Sequence, residues 1–227
     1  MNGIRRRQGA VSTRDAVYMS LREKILSLEL PPGTPLSENE TSQQFQVSRT
    51  PVRESFMRLA QEGLVQVLPQ RGTFVSLIDT ALVEEARFMR EHLECAVIEL
   101  ACTEFPADAL RQLEMNLAQQ QVSIRLEDED AMFELDQSYH RILFEGCGKS
   151  YTWNALSQLT VHLNRSRRLK LAADHNWQHL YEQHREMADA IIARDAEKGR
   201  RIMKHHLTLN ITDQAVLKEQ YPHYYKD

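Results

Sequence analysis

Residues 48–64 read SRTPVRESFMRLAQEGL, and their reading decides the fold of the first third of the chain. Val52, Phe56 and Leu59 recur at helical spacing and define one apolar face, while Arg49 and Arg53 fall on a different one. Pro51 is tolerated in the first turn, because first-turn amides have no intrahelical partner to lose. Gly63 supplies a C-terminal stop. The stretch is a helix that starts at Ser48 or Thr50 and carries its cationic side outward.

Upstream, Val17, Leu21, Ile25 and Leu28 predict an amphipathic helix over 14–28, ended by Pro31, Pro32 and Gly33. Ser37 stands three residues before Glu40, a capping-box spacing that opens a short second helix running to about Phe45. Gln46 and Val47 make the turn into the third helix. Downstream, LVQVLPQRGTFVSL reads as two short strands joined by a tight turn at Gln70, Arg71 and Gly72. Three helices followed by a two-stranded hairpin describe a winged helix-turn-helix, whose third helix enters the major groove of DNA while the wing tip reaches the minor groove. Ser48, Thr50 and the free amides suit a phosphate, and Arg49 and Arg53 suit base edges, because the guanidinium fork matches O6 and N7 of guanine. Taken alone, the helix also fits a capped surface element with solvated arginines. The helix order and the QRG turn favour DNA.

Composition agrees with this division. The 227 residues are 42% hydrophobic, enough for a real core, and no run approaches the roughly 20 apolar residues that cross a bilayer. The N-terminal MNGIRRRQGAVSTRD has no apolar segment behind its charge, so a cytoplasmic protein is expected. Cys95, Cys102 and Cys147 lack CxxC spacing and read as small core residues. The net charge of -4 is polarised: residues 1–78 carry +3 and residues 79–227 carry -7. A mildly basic head on an acidic body is compatible with DNA binding through the head, since phosphate attraction follows the local field. Two domains are expected, 1–78 and 79–227.

The second domain is helical throughout, with periodic segments at 80–103, 106–126, 129–147, 150–171, 176–194 and 195–218. Short breaks such as GCGKS and RDAEKG separate them, which predicts an antiparallel all-α bundle with a frayed tail, YPHYYKD. The whole is a mainly α protein. Its chemistry lies in polar residues on apolar stripes: Asp136 and His140 share a face with Met132, Leu143 and Cys147, His184 with Leu180 and Ile191, and His206 with Ile202 and Leu209. A buried carboxylate needs a partner, and a divalent cation is an efficient one. One Asp and three His form a mixed set suited to Zn²⁺, Ni²⁺ or Mn²⁺. Any one inward histidine is more simply a hydrogen-bonded core residue; four convergent positions favour a metal. His205 shares its face with Lys198 and Arg201 and is expected to be solvated. His92, His162, His175 and His179 lack a comparable argument.

The stretch PPGTPLSENETSQQFQVSRTPVRESFMRLAQEGLVQVLPQRGTFV resembles the GntR superfamily of bacterial transcription factors, and ELDQSYHRILFEGCGK, HREMADAIIARDAEKGRRIM, KHHL and the RxxLE of Arg90 to Glu94 resemble the FCD effector domain of its FadR-like branch. The resemblance implies DNA contacts from Ser48, Arg49, Thr50, Arg53, Gln70, Arg71 and Gly72. The sequence departs from the family at Asn39, where many members carry arginine. For the body the resemblance implies a divalent ion held by Asp136, His140, His184 and His206 beneath a cavity for a small organic or sugar acid, with Arg90 and Arg165 as candidates to pair with the effector carboxylate. The expectation is a homodimeric regulator, not an enzyme, whose two heads read a pseudo-palindromic operator in double-stranded DNA, with repression the commoner family mode. The rival is a metal-dependent hydrolase or lyase using the Asp/His₃ centre, for which the sequence offers no HExxH and no paired general base.

Overall fold

The computed structural model describes residues 12–173, 177–208 and 212–226, and the chain divides into two compact units, Met1–Ser76 and Leu77–Asp227. In the first unit, α1 (Thr13–Leu26) opens on Ser12, whose Oγ accepts from the Asp15 amide, and it buries Val17, Tyr18, Leu21 and Ile25. The helix closes earlier than its apolar spacing suggests. Leu28 adopts a left-handed φ of 66° and the Leu30 amide donates back to the Lys24 carbonyl, so Leu28 lies outside the helix, ahead of the prolines. α2 (Glu38–Gln44) starts at Ser37, whose Oγ accepts from the Glu40 amide at 3.3 Å, and α3 (Arg49–Gln61) buries Val52, Phe56 and Leu59 as the spacing predicts.

The wing holds one strand more than the sequence suggests. β1 (Pro35–Leu36), β2 (Val65–Leu68) and β3 (Gly72–Val75) form an antiparallel sheet in the order β1-β3-β2, with Pro35 opposite Phe74 and Leu68 opposite Gly72. Two residues carry no readable alternation, and β1 is held by the flanking bonds from Gly33 to Val75 and from Val75 to Thr34. At the wing tip the Arg71 amide donates to the Leu68 carbonyl, with Pro69 second and Gln70 third at φ 61°, the pattern of a type II turn. Gly72 follows at φ 108°, a conformation that side-chain-bearing residues avoid, and it begins β3 rather than lying inside the turn.

The second unit is a bundle built around α4 (Thr80–Thr103), with α5 (Ala107–Leu126), α6 (Glu129–Gly146), α7 (Ser150–Leu159), α8 (Val161–Ala173), α9 (Gln178–Ala193), α10 (Ala196–Thr208) and α11 (Thr212–Gln220) following. α4 touches α6, α7, α8, α9 and α10. Its approach to α10 depends on Gly199, where a Cβ would lie 3.0 Å from the Cys102 Sγ and 3.2 Å from Ile98. Cys95 and Cys102 are buried free thiols, raised to about 11 by desolvation, and behave as core residues. The segment expected at 150–171 is two helices broken at Thr160, whose Oγ1 turns back to the Ser157 carbonyl while its own carbonyl accepts from Asn164 to start α8. Continuity of the helix expected at 195–218 across residues 209–211, the start of the segment expected at 176–194, and His175 lie outside the described residues, as does Leu209 of the expected His206 stripe.

The tail is anchored, not frayed. After a short 3-10 turn at Pro222–Tyr224, Tyr225 pairs with Ile78 in a parallel bridge: the Ile78 amide donates to Tyr224 and the Lys226 amide donates to Ile78. Tyr225 is 2% exposed with its hydroxyl 3.2 Å from Ser166 Oγ, and Lys226 pairs with Asp79 at 2.9 Å. Removing a buried aromatic of this size costs on the order of 3 kcal/mol. Tyr225→Ala is therefore expected to lower the melting temperature by roughly 6 to 12 °C, read by calorimetry; an unchanged transition would mean that the tail contributes nothing to the bundle.

Candidate metal centre and DNA-facing surface

Three helices bring the four sequence-predicted ligands together. Asp136 and His140 lie one turn apart on α6, His184 comes from α9 and His206 from α10. All four are buried, and one donor atom from each lies within 4.8 Å of the others. His140 Nε2 is 3.2 Å from His206 Nε2, and Asp136 Oδ1 is 3.7 Å from His184 Nε2 and 3.9 Å from His206 Nε2.

The outer ring nitrogens orient the rings. Asn116 Nδ2 donates to the Leu135 carbonyl, which can only accept, so its Oδ1 must receive Gln120 Nε2 at 2.7 Å. Gln120 Oε1 is then left facing His184 Nδ1 at 2.9 Å, and that nitrogen carries the proton. His206 Nδ1 meets Gln183 Oε1 at 2.8 Å, and His140 Nδ1 lies 2.6 Å from Glu94 Oε2. Burial pushes the Glu94 carboxyl up, but Arg90 and His140 outweigh it and hold it down to about 2, so it accepts. The three imidazoles thus turn their Nε2 edges toward one another and toward a carboxylate. His184 Nε2 has no hydrogen-bond partner. Separations of 3.2 to 3.9 Å among these atoms suit donors arranged about 2.0 to 2.2 Å from one ion.

Electrostatics keep this donor set ready. Burial drives His184 down to about 3 against the pull of Asp136, and burial also holds His206 well below its usual value, with His184 and His140 adding to the effect. Burial alone would raise Asp136, but Arg167 and the imidazoles keep it well below the normal carboxylate range. Arg167 Nη2 donates to Asp136 Oδ2, and Arg90 Nε donates to Glu94 Oε1 at 2.5 Å. Arg90 Nη2 is buried without a hydrogen-bond partner.

A cavity opens beside the centre, lined by Met132, Asp136, Arg167, Leu171, Leu180 and His206 among others. Arg167, which the sequence reading did not single out, lines this cavity, and Arg165, which it did, does not. Residues two apart on a helix face opposite sides, and Arg165, fully buried, lies 3.0 Å from His162 Nδ1 on the side of Tyr225 and does not line this cavity. His162 itself accepts the Asp79 amide at 3.1 Å, and burial lowers its pKa to about 4, so it is a structural histidine at the start of α4. His205 is exposed. Gln120 and Gln183 were not foreseen either.

In the first unit, Ser48, Arg49, Thr50, Arg53, Gln70, Arg71 and Gly72 are all exposed. Ser48 is the N-cap of α3 but makes no side-chain capping bond. Among the described residues Arg49 makes no hydrogen bond or ion pair, whereas Arg53 is held by Glu38.

Known proteins show the same arrangement of parts. Residues 13–75 match the model of bacterial regulatory proteins of the gntR family, and residues 85–209 match the FCD domain. The chain is 37% identical over 191 residues to the HTH-type transcriptional repressor RspR of Escherichia coli K12, covering 84% of each. It is 40% identical over 200 residues to an HTH-type transcriptional regulator in an unstable DNA locus of Streptomyces ambofaciens, covering 88% of this chain and 83% of that one. The solved structure of E. coli McbR/YncC superposes with a TM-score of 0.77 at 22% identity, covering 93% of this chain and all of that one, a likeness of fold. A helix-turn-helix match in the first unit, an FCD match over the buried Asp/His cluster and likeness to regulators over 84 to 88% of the chain lead to one conclusion: the chain belongs to the GntR family of bacterial regulatory proteins, carries an FCD domain, and is a DNA-binding transcriptional regulator.

Proposed function

We propose that the protein is a cytoplasmic, homodimeric repressor whose DNA affinity is set by a small carboxylate or sugar acid bound beside a divalent metal ion. Asp136, His140, His184 and His206 would hold the ion, with Zn²⁺, Ni²⁺ or Mn²⁺ suited to the mixed N/O donors. When bound, the ion supplies positive charge and free coordination positions for an acid. The observation that carries the reading is the convergence of one donor atom each from buried Asp136, His140, His184 and His206 within 4.8 Å of one another, with His184 Nε2 lacking a hydrogen-bond partner. Charge balance supports an anionic effector: Glu94 and Asp136 offset Arg90 and Arg167, so a divalent ion leaves the buried centre positive. Arg167, which lines the cavity, is the guanidinium donor we assign to the acid in place of Arg165, and Arg90, which does not line it, stays with Glu94 behind His140.

Repression is supported by the name of the E. coli relative, and the heads would read two half-sites through Ser48, Arg49, Thr50 and Arg53 of α3 and Gln70, Arg71 and Gly72 of the wing. The relatives are transcriptional regulators, which speaks against the hydrolase or lyase reading. An effector acts only through different affinity for DNA-competent and DNA-incompetent arrangements, and a coupling of about 1 to 3 kcal/mol gives a roughly 5- to 150-fold change. The test is fluorescence anisotropy on a duplex selected by the protein from a random pool, titrated with a panel of carboxylic and sugar acids in metal-replete buffer. A selected sequence and at least one acid that shifts affinity within that range are expected. Selection that enriches no sequence, or indifference to every acid, defeats the reading.

A further inference from the structure

Arg53 and Glu38 are joined by a two-point contact across fifteen residues: Arg53 Nε donates to Glu38 Oε1 at 3.0 Å and Arg53 Nη2 donates to Oε2 at 2.9 Å. The pair is exposed, Arg53 at 67% and Glu38 at 32%, and as a source of stability it is worth little. Its position is nonetheless adverse. A carboxylate at the edge of a surface that must approach phosphates repels them, so it needs a compensating benefit.

The benefit lies in which edge of the guanidinium is taken. Glu38 occupies the side edge, Nε and Nη2, and Nη1 makes no hydrogen bond, so the end edge formed by Nη1 and the second Nη2 hydrogen stays open. That end edge is one of the two donor pairs of a guanidinium that can meet guanine O6 and N7, and the only one Glu38 leaves open. We infer that Glu38 is a positioning residue for sequence reading: it holds Arg53 extended with its end fork outward, ordering a long side chain before DNA arrives and barring it from wandering to a phosphate. The inference rests on the reading that Arg53 addresses a base edge. Glu38 also sits at the first position of α2, where a negative charge suits the helix dipole, so a purely structural role must be separated.

The experiment uses the full chain and a duplex selected from a random pool by the wild-type protein, with each base pair varied singly and an unselected duplex as reference. Glu38→Gln, Glu38→Asp, Arg53→Ala and the Arg53→Ala/Glu38→Gln double variant are compared, with melting curves to verify folding. Glu38→Gln is expected to reduce discrimination about 3- to 10-fold at the base pair that Arg53→Ala also relaxes, to raise affinity for the unselected duplex, and to have no effect on base preference once Arg53 is gone. Glu38→Asp keeps the charge at the helix start but falls short of the fork, so it should lose discrimination too. Full discrimination in Glu38→Gln, or an equal loss in the Arg53→Ala background, overturns the positioning role while leaving Arg53 as a reader. If Arg53→Ala itself leaves every preference intact, Arg53 reads no base and both statements fall.

Discussion

His184→Ala is expected to strip the protein of its metal, with content falling from about one equivalent per chain to background by elemental analysis of protein purified without chelators. The size of the effect follows from how the site is built. His184 Nε2 faces Asp136 Oδ1 at 3.7 Å and has no other polar partner, so its lone pair has no use except a cation. The ring is held by a stacked Tyr139, at a centroid distance of 4.3 Å, and by Gln120, which aim its Nε2 at the cluster. A graded companion is Gln120→Leu, which keeps all four ligands and removes only the acceptor that fixes the His184 tautomer; its metal affinity should fall about 10- to 100-fold. Chelation of the wild type should lower its melting temperature, because an ion that binds only the folded state stabilises it by mass action. Unchanged metal content in His184→Ala would place the ion elsewhere and dissolve the proposed site.

The site was legible in the sequence to the depth of its donors and no further. Asp136, His140, His184 and His206 each interrupt an apolar stripe, so periodicity alone points them inward, and the structure brings all four together. The residues that orient them carry no such signal. Gln120 is the middle of the run QQQ at 119–121, and only its complete burial separates it from exposed Gln119 and Gln121. That Arg167 rather than Arg165 lines the cavity was hidden for a different reason. α8 buries Val161, His162, Leu163, Arg165, Ser166, Arg167, Leu169 and Leu171, so nearly every side is covered and no amphipathic stripe exists to tell one arginine's surroundings from the other's. The same reasoning explains the head. α3 is half-exposed and was read correctly from three apolar residues, whereas β1 is a two-residue strand whose pairing with β3 is set by chain reversal at Pro31–Gly33 and by nothing in its own pattern.

Arg49→Ala is expected to weaken binding to the selected duplex by about 1 to 3 kcal/mol, a loss of roughly 5- to 150-fold, and to flatten preference at one base pair. Arg49 is the first residue of α3, exposed, next to an N-cap serine whose side chain makes no cap bond, and it forms no ion pair of its own among the described residues. That freedom distinguishes it from Arg53. An unrestrained arginine at a helix N-terminus must be ordered by the DNA, at about 0.5 to 1.5 kcal/mol, so its net contribution is set by how good a target it finds. A guanine edge returns a two-point contact and makes the loss specific to one position. A phosphate returns a charge contact, makes the loss uniform across sequences, and lowers the slope of affinity against salt by about one. Measuring single-base-pair variants at two salt concentrations separates the two. A uniform loss with a reduced salt slope would move Arg49 from the reading residues to the anchoring ones and leave Arg53, steadied by Glu38, as the base reader of α3.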